Sequence, residues 1–337
     1  MKVSEIGEFG LIDQLAEMAY AARDEKQKAW QQLILGIGDD AAAWSGDSSI
    51  QLVTVDSLIQ GVHFTLDIVS WEDLGWRALA ANLSDIAAMG GLPRYALVSL
   101  ALPGTTEVAD VTALYRGMLG LAGQFGVAIA GGNISYAPLV VLDITVLGSN
   151  GSRERGILTR SAAKPGDKVA FTGYPGAAAA GLEMLTKDLK FDAEAAISLK
   201  RAFQRPYPRV VEGQVLVDQG VKTAIDISDG LIGDLGHICQ ASQVGARIEV
   251  ERVPILPEVR KNFGERALEL TLSGGEAYEL LFTASAEVIS KVQAAVTCPV
   301  TIIGEITAEQ KGKVVLVDAR GNTLDLARTG WEHFTTG

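Results

Sequence analysis

The stretch SWEDLGWRALAANLSDIAAMG, residues 70–90, sets a carboxylate inside a helix that the chain has every reason to bury. Ser70 can cap this helix, with Asp73 three residues on, and Gly90, Gly91 and Pro93 stop it. On a helix the neighbours of Asp85 three and four positions away are Ala81, Asn82, Ala88 and Met89. That face is small and mostly apolar, so Asp85 goes inside and needs a partner. A cap or a salt bridge would satisfy it, and so would a cation. The other acidic residues favour the cation.

Asp39 and Asp40 sit side by side in LGIGDDAAAW, with no lysine or arginine in the stretch. Two carboxylates at ~4 Å repel by on the order of 4 kcal/mol at an effective dielectric of ~20. Asp56 lies in TVDSL, and Asp226 and Asp229 lie in AIDISDGL at a strand-to-helix junction. Such junctions are where open α/β sheets bind ligands. Taken alone, GDD reads as a solvated turn. Taken together, the acidic residues read as a magnesium site, because Mg²⁺ takes carboxylates, waters and substrate phosphates as its oxygen ligands. Several ions so held would make a chain of net charge -12 hospitable to ATP.

The same charge argues against a nucleic-acid face. There is no GxxxxGK[ST] loop, and LGIGDD matches a GxGxxG pattern only at its start. His63, His237 and His333 form no ligand cluster, and no nucleophile elbow supports Ser-His-Asp chemistry. Cys239 and Cys298 fit no metal pattern and read as buried thiols in a reducing compartment. MKVSEIGEFG has no apolar leader, and the apolar runs YALVSLALP and LVVLDITVLG are too short to span a bilayer. These features lead us to expect a cytoplasmic protein with neither nucleic-acid nor membrane partners.

At 337 residues and 48% hydrophobic content, the chain is long enough for two domains. Periodicity predicts helices over 9–28, 70–90, 107–125, 176–189, 229–242 and 285–296. Strands are predicted at LILGIG, SIQLVTVDSLI, 95–102, 127–130 running into GGNIS, 139–148, 168–173 and 222–227. ARIEV, AYELLFTA, VTIIGEI and KVVLVDARGNTLDL read as further strands. The polar segment GSRERGILTRSAAKPGD places a boundary near 150–163.

GEFGLI, LGIGDD, VDSLIQGVHF, ANLSDIAAMGGLP, GGNIS, LTRSAAKPGD, AIDISDGLIGDLGHI, LSGGEAYEL and GWEHF follow one another in this order. In this combination the chain resembles the thiamine-monophosphate kinases, of the superfamily that includes aminoimidazole ribonucleotide synthase and selenophosphate synthetase. The resemblance implies an α/β (α+β) fold in two parts. Residues 1–150 would bind ATP and Mg²⁺ and dimerise by joining sheets into a barrel, and 151–337 would form a second α/β domain packed against them. It implies phosphorylation of thiamine monophosphate by ATP to give thiamine diphosphate, in a homodimer using several Mg²⁺ ions.

The resemblance further implies metal roles for Asp39, Thr54, Asp56, Asp85, Asp226 and Asp229, for Val55 through its carbonyl, and for Asn133. It implies ATP contacts from Gly132, Asn133, Arg160 and Ser228, and acceptor contacts from His63, Glu276 and Trp331. Arg160 offers a planar fork for phosphate oxygens, and the amides after Ser228 open a helix that favours an anion. Trp331 offers a flat face to a cationic thiazolium ring, or packs on the core as a C-terminal aromatic. The chain departs from the family pattern in Val55, Asn133 and Ala277, where Thr, Asp and Asp are usual, and in lacking an arginine in SYAP. These departures keep two other readings open: a related enzyme with another phosphorylated acceptor, and a non-catalytic sensor of thiamine phosphates or ATP.

Overall fold

The computed structural model describes residues 33–35, 38–45, 49–152, 154–326 and 330–331. The helix predicted over 9–28, and His333, lie outside the described residues.

A first sheet contains β1 (Leu33–Leu35), β2 (Ala42–Ser45), β3 (Ile50–Ile59), β4 (Leu92–Leu102), β5 (Ala128–Tyr136) and β6 (Val141–Ser149). Its order is β1-β2-β3-β6-β4-β5, and among these described strands only β4 and β5 pair in parallel. Along β3 the side chains alternate. Leu52, Thr54 and Leu58 are buried, while Val55 and Ser57 are exposed on the other face. Asp56 shares the inner parity.

Two helices, α1 (Trp71–Ala88) and α2 (Val108–Phe125), pack together in this half. Ser70 caps α1 by accepting the Asp73 amide at 3.1 Å, as its sequence predicts. The helices touch backbone to backbone: a Cβ at Gly75 would meet the Leu114 carbonyl at 1.9 Å, and one at Gly117 the Glu72 carbonyl at 1.8 Å. Only glycine permits that approach.

A second sheet has the order β13-β12-β9-β11-β7-β10-β8. Its strands are β7 (Lys168–Thr172), β8 (Thr223–Asp226), β9 (Gly245–Glu249), β10 (Leu280–Ala284), β11 (Val300–Thr307), β12 (Val314–Val317) and β13 (Thr323–Leu324). Around it lie α3 (Ala177–Thr186), α4 (Ala193–Gln204), α5 (Val210–Asp218), α6 (Leu231–Ser242), α7 (Pro257–Phe263), α8 (Arg266–Ser273) and α9 (Ala286–Ala295). Both sheets are mainly antiparallel, so the fold is mixed α/β of the α+β kind.

Helix α1 is the hinge of the arrangement. It packs on β3 and β6 of the first sheet and on α5 and β8 of the second half. Leu74, Leu79, Leu83 and Ile86 are fully buried in one continuous core with Phe203, Ala224, Leu280 and Phe282. Fully burying a side chain of this size stabilises by about 1.5–3 kcal/mol. Because α1 is enclosed on both sides, its polar residues have nowhere to go but into the joint. Among the described residues no helix is long and apolar enough to cross a membrane. Cys239 is buried, whereas Cys298, expected to be buried, is only partly so.

Candidate active site

Three carboxylates from three separate elements converge where α1 meets the second half. Asp40, Asp85 and Asp226 each offer an oxygen atom, and these atoms lie within 4.8 Å of one another. Asp40 enters from the turn before β2, Asp85 from the last turn of α1, and Asp226 from the end of β8. Thr54 on β3 donates to Asp85 Oδ2 at 2.5 Å, and Ser84 donates to Asp226 Oδ2 at 2.7 Å. Asp40 Oδ2 is buried and has no hydrogen-bond partner among the described residues.

The electrostatics follow from that crowding. Burial pushes Asp56 up to about 6, with Asp40 and Glu276 adding repulsion. Burial, then Asp40, raises Asp39 to about 6 against the pull of Arg160. Asp85 and Asp226 are raised well above the usual carboxylate range, first by burial and then by the other carboxylates. Arg160 answers the Asp39–Asp40 pair. Arg160 pairs with Asp40 through Nη2, approaches Asp39 Oδ1 with Nε at 3.5 Å, and donates its backbone amide to Asp39 Oδ2 at 3.1 Å. The Asp40 pair is a hydrogen bond as well as an ion pair. Among the described residues, Arg160 and the Glu276-paired Arg77 do not balance these carboxylates, which leaves a surplus of negative charge.

Asp229 and Trp331 meet through the backbone, the Trp331 amide donating to the Asp229 carbonyl at 2.9 Å. Asp234, which the sequence reading missed, braces this loop. It is 2% exposed and accepts the amides of Ser228, Asp229 and Gly230 at 3.1, 3.3 and 3.1 Å. The available signal was an aspartate in the first turn of α6, directly after SDG. Burial, then Asp229 and Asp226, raises its pKa well above the ordinary value.

The chain matches two family descriptions in tandem: AIR synthase related protein, N-terminal domain, over residues 38–149, and its C-terminal domain over residues 164–317. The thiamine-monophosphate kinase of Escherichia coli K12 is 38% identical over 98% of this chain and 99% of its own length. The chain belongs to this family. The thiamine-monophosphate kinase of Bacillus subtilis 168 is also 38% identical, over 89% of this chain and 93% of its own. The solved structure of AaThiL complexed with AMPPCP and TMP matches with a TM-score of 0.84 at 31% identity, covering 99% of each chain. The enzyme from Stenotrophomonas maltophilia K279a matches with a TM-score of 0.74 at 33% identity, over 93% of this chain and 96% of that one.

The family's motifs do not all reach the cluster. Asp40, rather than Asp39, supplies the third convergent oxygen; Arg160 engages both, pairing with Asp40 through its guanidinium and donating its backbone amide to Asp39 Oδ2. The Val55 side chain faces outward, as its parity requires. Asn133 is exposed on β5, in one register row with Ser99, Asp143 and the outward-facing Ser57. Gly132 shares a row with Asp56 but lies three strands away, about 14 Å at ordinary strand spacing. Neither β5 residue is brought into the carboxylate cluster. His63 sits in the turn after β3, where its Nδ1 accepts the Ile59 amide at 3.0 Å. Glu276 is close enough for its charge to raise both Asp56 and Tyr278, and it is ion-paired to Arg77.

Proposed function

We propose that this chain transfers the terminal phosphoryl group of ATP to the phosphate of thiamine monophosphate, giving thiamine diphosphate and ADP. The observation that carries the reading is the convergence of Asp40, Asp85 and Asp226 beside Arg160 at the joint between the two halves. The full-length identity to thiamine-monophosphate kinases, and the fold shared with a relative complexed with AMPPCP and TMP, support this substrate pair.

The donor set fits magnesium: all oxygen, in anionic surplus, with the Asp40 Oδ2 atom unpartnered among the described residues. Asp40, Asp85 and Asp226 would hold the metal, with Asp39, Asp56, Asp229 and the carbonyl of Val55 around them. Bound there, Mg²⁺ would neutralise phosphate charge. The protein's part is alignment. An ionised oxygen of the acceptor phosphate forms the new bond to the γ-phosphorus as the bond to the leaving ADP oxygen breaks. That oxygen is already deprotonated near neutral pH, so no general base is needed. Arg160 offers its planar fork to phosphate oxygens, and Ser228 and the amides opening α6 favour the same charge. Glu276, Trp331 and His63 would meet the acceptor's organic end. Gly132 and Asn133 would meet the nucleotide away from the Asp40–Asp85–Asp226 cluster.

Two further expectations join this reading: residues 1–150 form the ATP- and Mg²⁺-binding, dimerising domain with 151–337 as a second domain packed against it, and two copies join through the first sheet. Ile134 and Tyr136 on the edge strand β5 are 66% and 79% exposed, and Val55, Tyr95 and Leu97 add apolar surface on the same sheet. A strand with a free edge and exposed apolar side chains is suited to pairing with another strand.

The test is an assay of the purified protein with ATP, thiamine monophosphate and Mg²⁺, following both products. Equimolar ADP and thiamine diphosphate are expected. ADP release only with another phosphorylated acceptor would reassign the substrate, and binding without any product would make the chain a sensor.

A further inference from the structure

Among the described residues Arg77 is the most completely buried cation near the site, and nothing in the phosphoryl-transfer chemistry above uses it. It sits on α1 and is 2% exposed. Its Nη1 donates to the Phe203 carbonyl at 2.5 Å, its Nη2 donates to Glu276 Oε2, and its guanidinium carbon lies 4.2 Å from the Phe203 ring centroid. One planar group thus spans two acceptors and stacks on a ring, which a lysine ammonium cannot do.

Its partner occupies an unusual piece of chain. Glu276 and Tyr278 both have left-handed backbones, φ 65° and 51°, which cost free energy for residues with a side chain. Their amides donate to the carbonyls of Ser228 and Ile227 at 2.7 and 2.9 Å, which pins the segment against the loop after Asp226. The Glu276 side chain keeps 30% exposure. Oε2 is taken by Arg77, and Oε1 accepts no hydrogen bond from the described residues. A carboxylate with one oxygen clamped and the other open is set to accept a hydrogen bond from a ligand in a defined direction.

Arg77, Ser84 and Asp85 also share one side of α1. Seven and eight residues are about two helical turns, or roughly 12 Å of axis at 1.5 Å per residue. The helix therefore acts as a ruler, with the carboxylate cluster at one end and Glu276 at the other.

We propose that Arg77 is a positioning residue for the acceptor: through its ion pair it orients Glu276 toward thiamine monophosphate and fixes the distance from that contact to the phosphoryl-transfer site. The proposal rests on the reading of Glu276 as an acceptor contact. Arg77 itself touches no reacting atom.

The experiment compares Arg77→Met, Glu276→Gln and the double variant in the full-length protein, measuring kcat, KM for each substrate and thermal unfolding. Arg77→Met raises the KM for thiamine monophosphate about tenfold, equivalent to about 1.4 kcal/mol, and shifts the KM for ATP by less than about twofold. Glu276→Gln produces a similar rise. The double variant is no worse than Glu276→Gln, because Arg77 acts through that carboxylate. Arg77→Lys, which keeps the charge and loses the fork, falls between wild type and Arg77→Met, and serves if Arg77→Met does not fold. A large rise for Glu276→Gln with wild-type KM values in both Arg77 variants overturns the positioning role and leaves the Glu276 reading intact. Equal losses for ATP and acceptor, or additive effects in the double variant, also overturn it. An unchanged acceptor KM in Glu276→Gln overturns the underlying reading.

Discussion

Ser84 Oγ donates to Asp226 Oδ2 across 2.7 Å, from the buried side of α1 to the end of β8. This bond ties the carboxylate cluster to the joint between the two halves and lowers the pKa of Asp226 against its burial. Replacing Ser84 with Ala removes the donor and leaves a small void. The Mg²⁺ concentration for half-maximal rate rises about tenfold, as for lost outer contacts of metal ligands. Stability falls by about 1 kcal/mol. Magnesium titration of the rate, with thermal unfolding alongside, reads both.

Asp85→Asn is nearly isosteric and deletes one charge from a mutually repelling set. Asp85 is raised by burial first and by Asp56 and Asp226 next, so without metal the charged form is a burden to the folded state. The variant therefore unfolds at the same temperature as wild type or higher in EDTA, gains little from Mg²⁺, and loses orders of magnitude in rate. Magnesium stabilisation as large as that of wild type would place the metal elsewhere.

Stability without metal depends on pH in a direction set by the raised carboxylates. Burial pushes Asp39 and Asp56 up to about 6 in the folded chain, against an ordinary 3.8. Between these values the folded state binds more protons than the unfolded state, so stability declines as pH rises through the window. In EDTA the unfolding temperature drops from about pH 4 to pH 6 by this contribution. The stabilisation gained on adding Mg²⁺ grows over the same interval, because metal binding needs the deprotonated carboxylates. Thermal unfolding across pH, with and without Mg²⁺, checks the sign.

Gly117→Ala tests the packing that holds α1 in place. Its Cβ would sit 1.8 Å from the Glu72 carbonyl oxygen, so the helices must part. Overpacking of this kind costs about 1–3 kcal/mol, more than the helix propensity gained. Denaturant unfolding measures it.

The local signals were readable because they are local. The α1 cap, the SDG junction and the inward setting of Asp85 each come from residues within a few positions of one another, and the structure places helices and strands there, with Asp85 half-buried rather than enclosed. The segment 193–218 carried its own signal in Asp192, which caps α4 by accepting the Ala195 amide at 3.0 Å, yet periodicity alone left it unassigned. Long-range choices were not readable. Asp39 and Asp40 are adjacent in a turn with no period to separate them, and the residue that engages both, Arg160, lies 120 residues from Asp40. The Arg77–Glu276 pair joins residues 199 apart, and no spacing rule reaches that far. The outward setting of Asn133 follows from strand register, which the motif GGNIS does not contain.

The central claim is that Asp40, Asp85 and Asp226 form a cation-dependent cradle for nucleotide phosphates. Calorimetric titration of the protein with AMPPCP, in Mg²⁺ and in EDTA, tests it most directly. We predict saturable binding in Mg²⁺, weakening by at least about tenfold (about 1.4 kcal/mol) in EDTA, with the metal effect lost in Asp85→Asn. Equal affinity with and without Mg²⁺, in wild type and variant alike, would contradict the account.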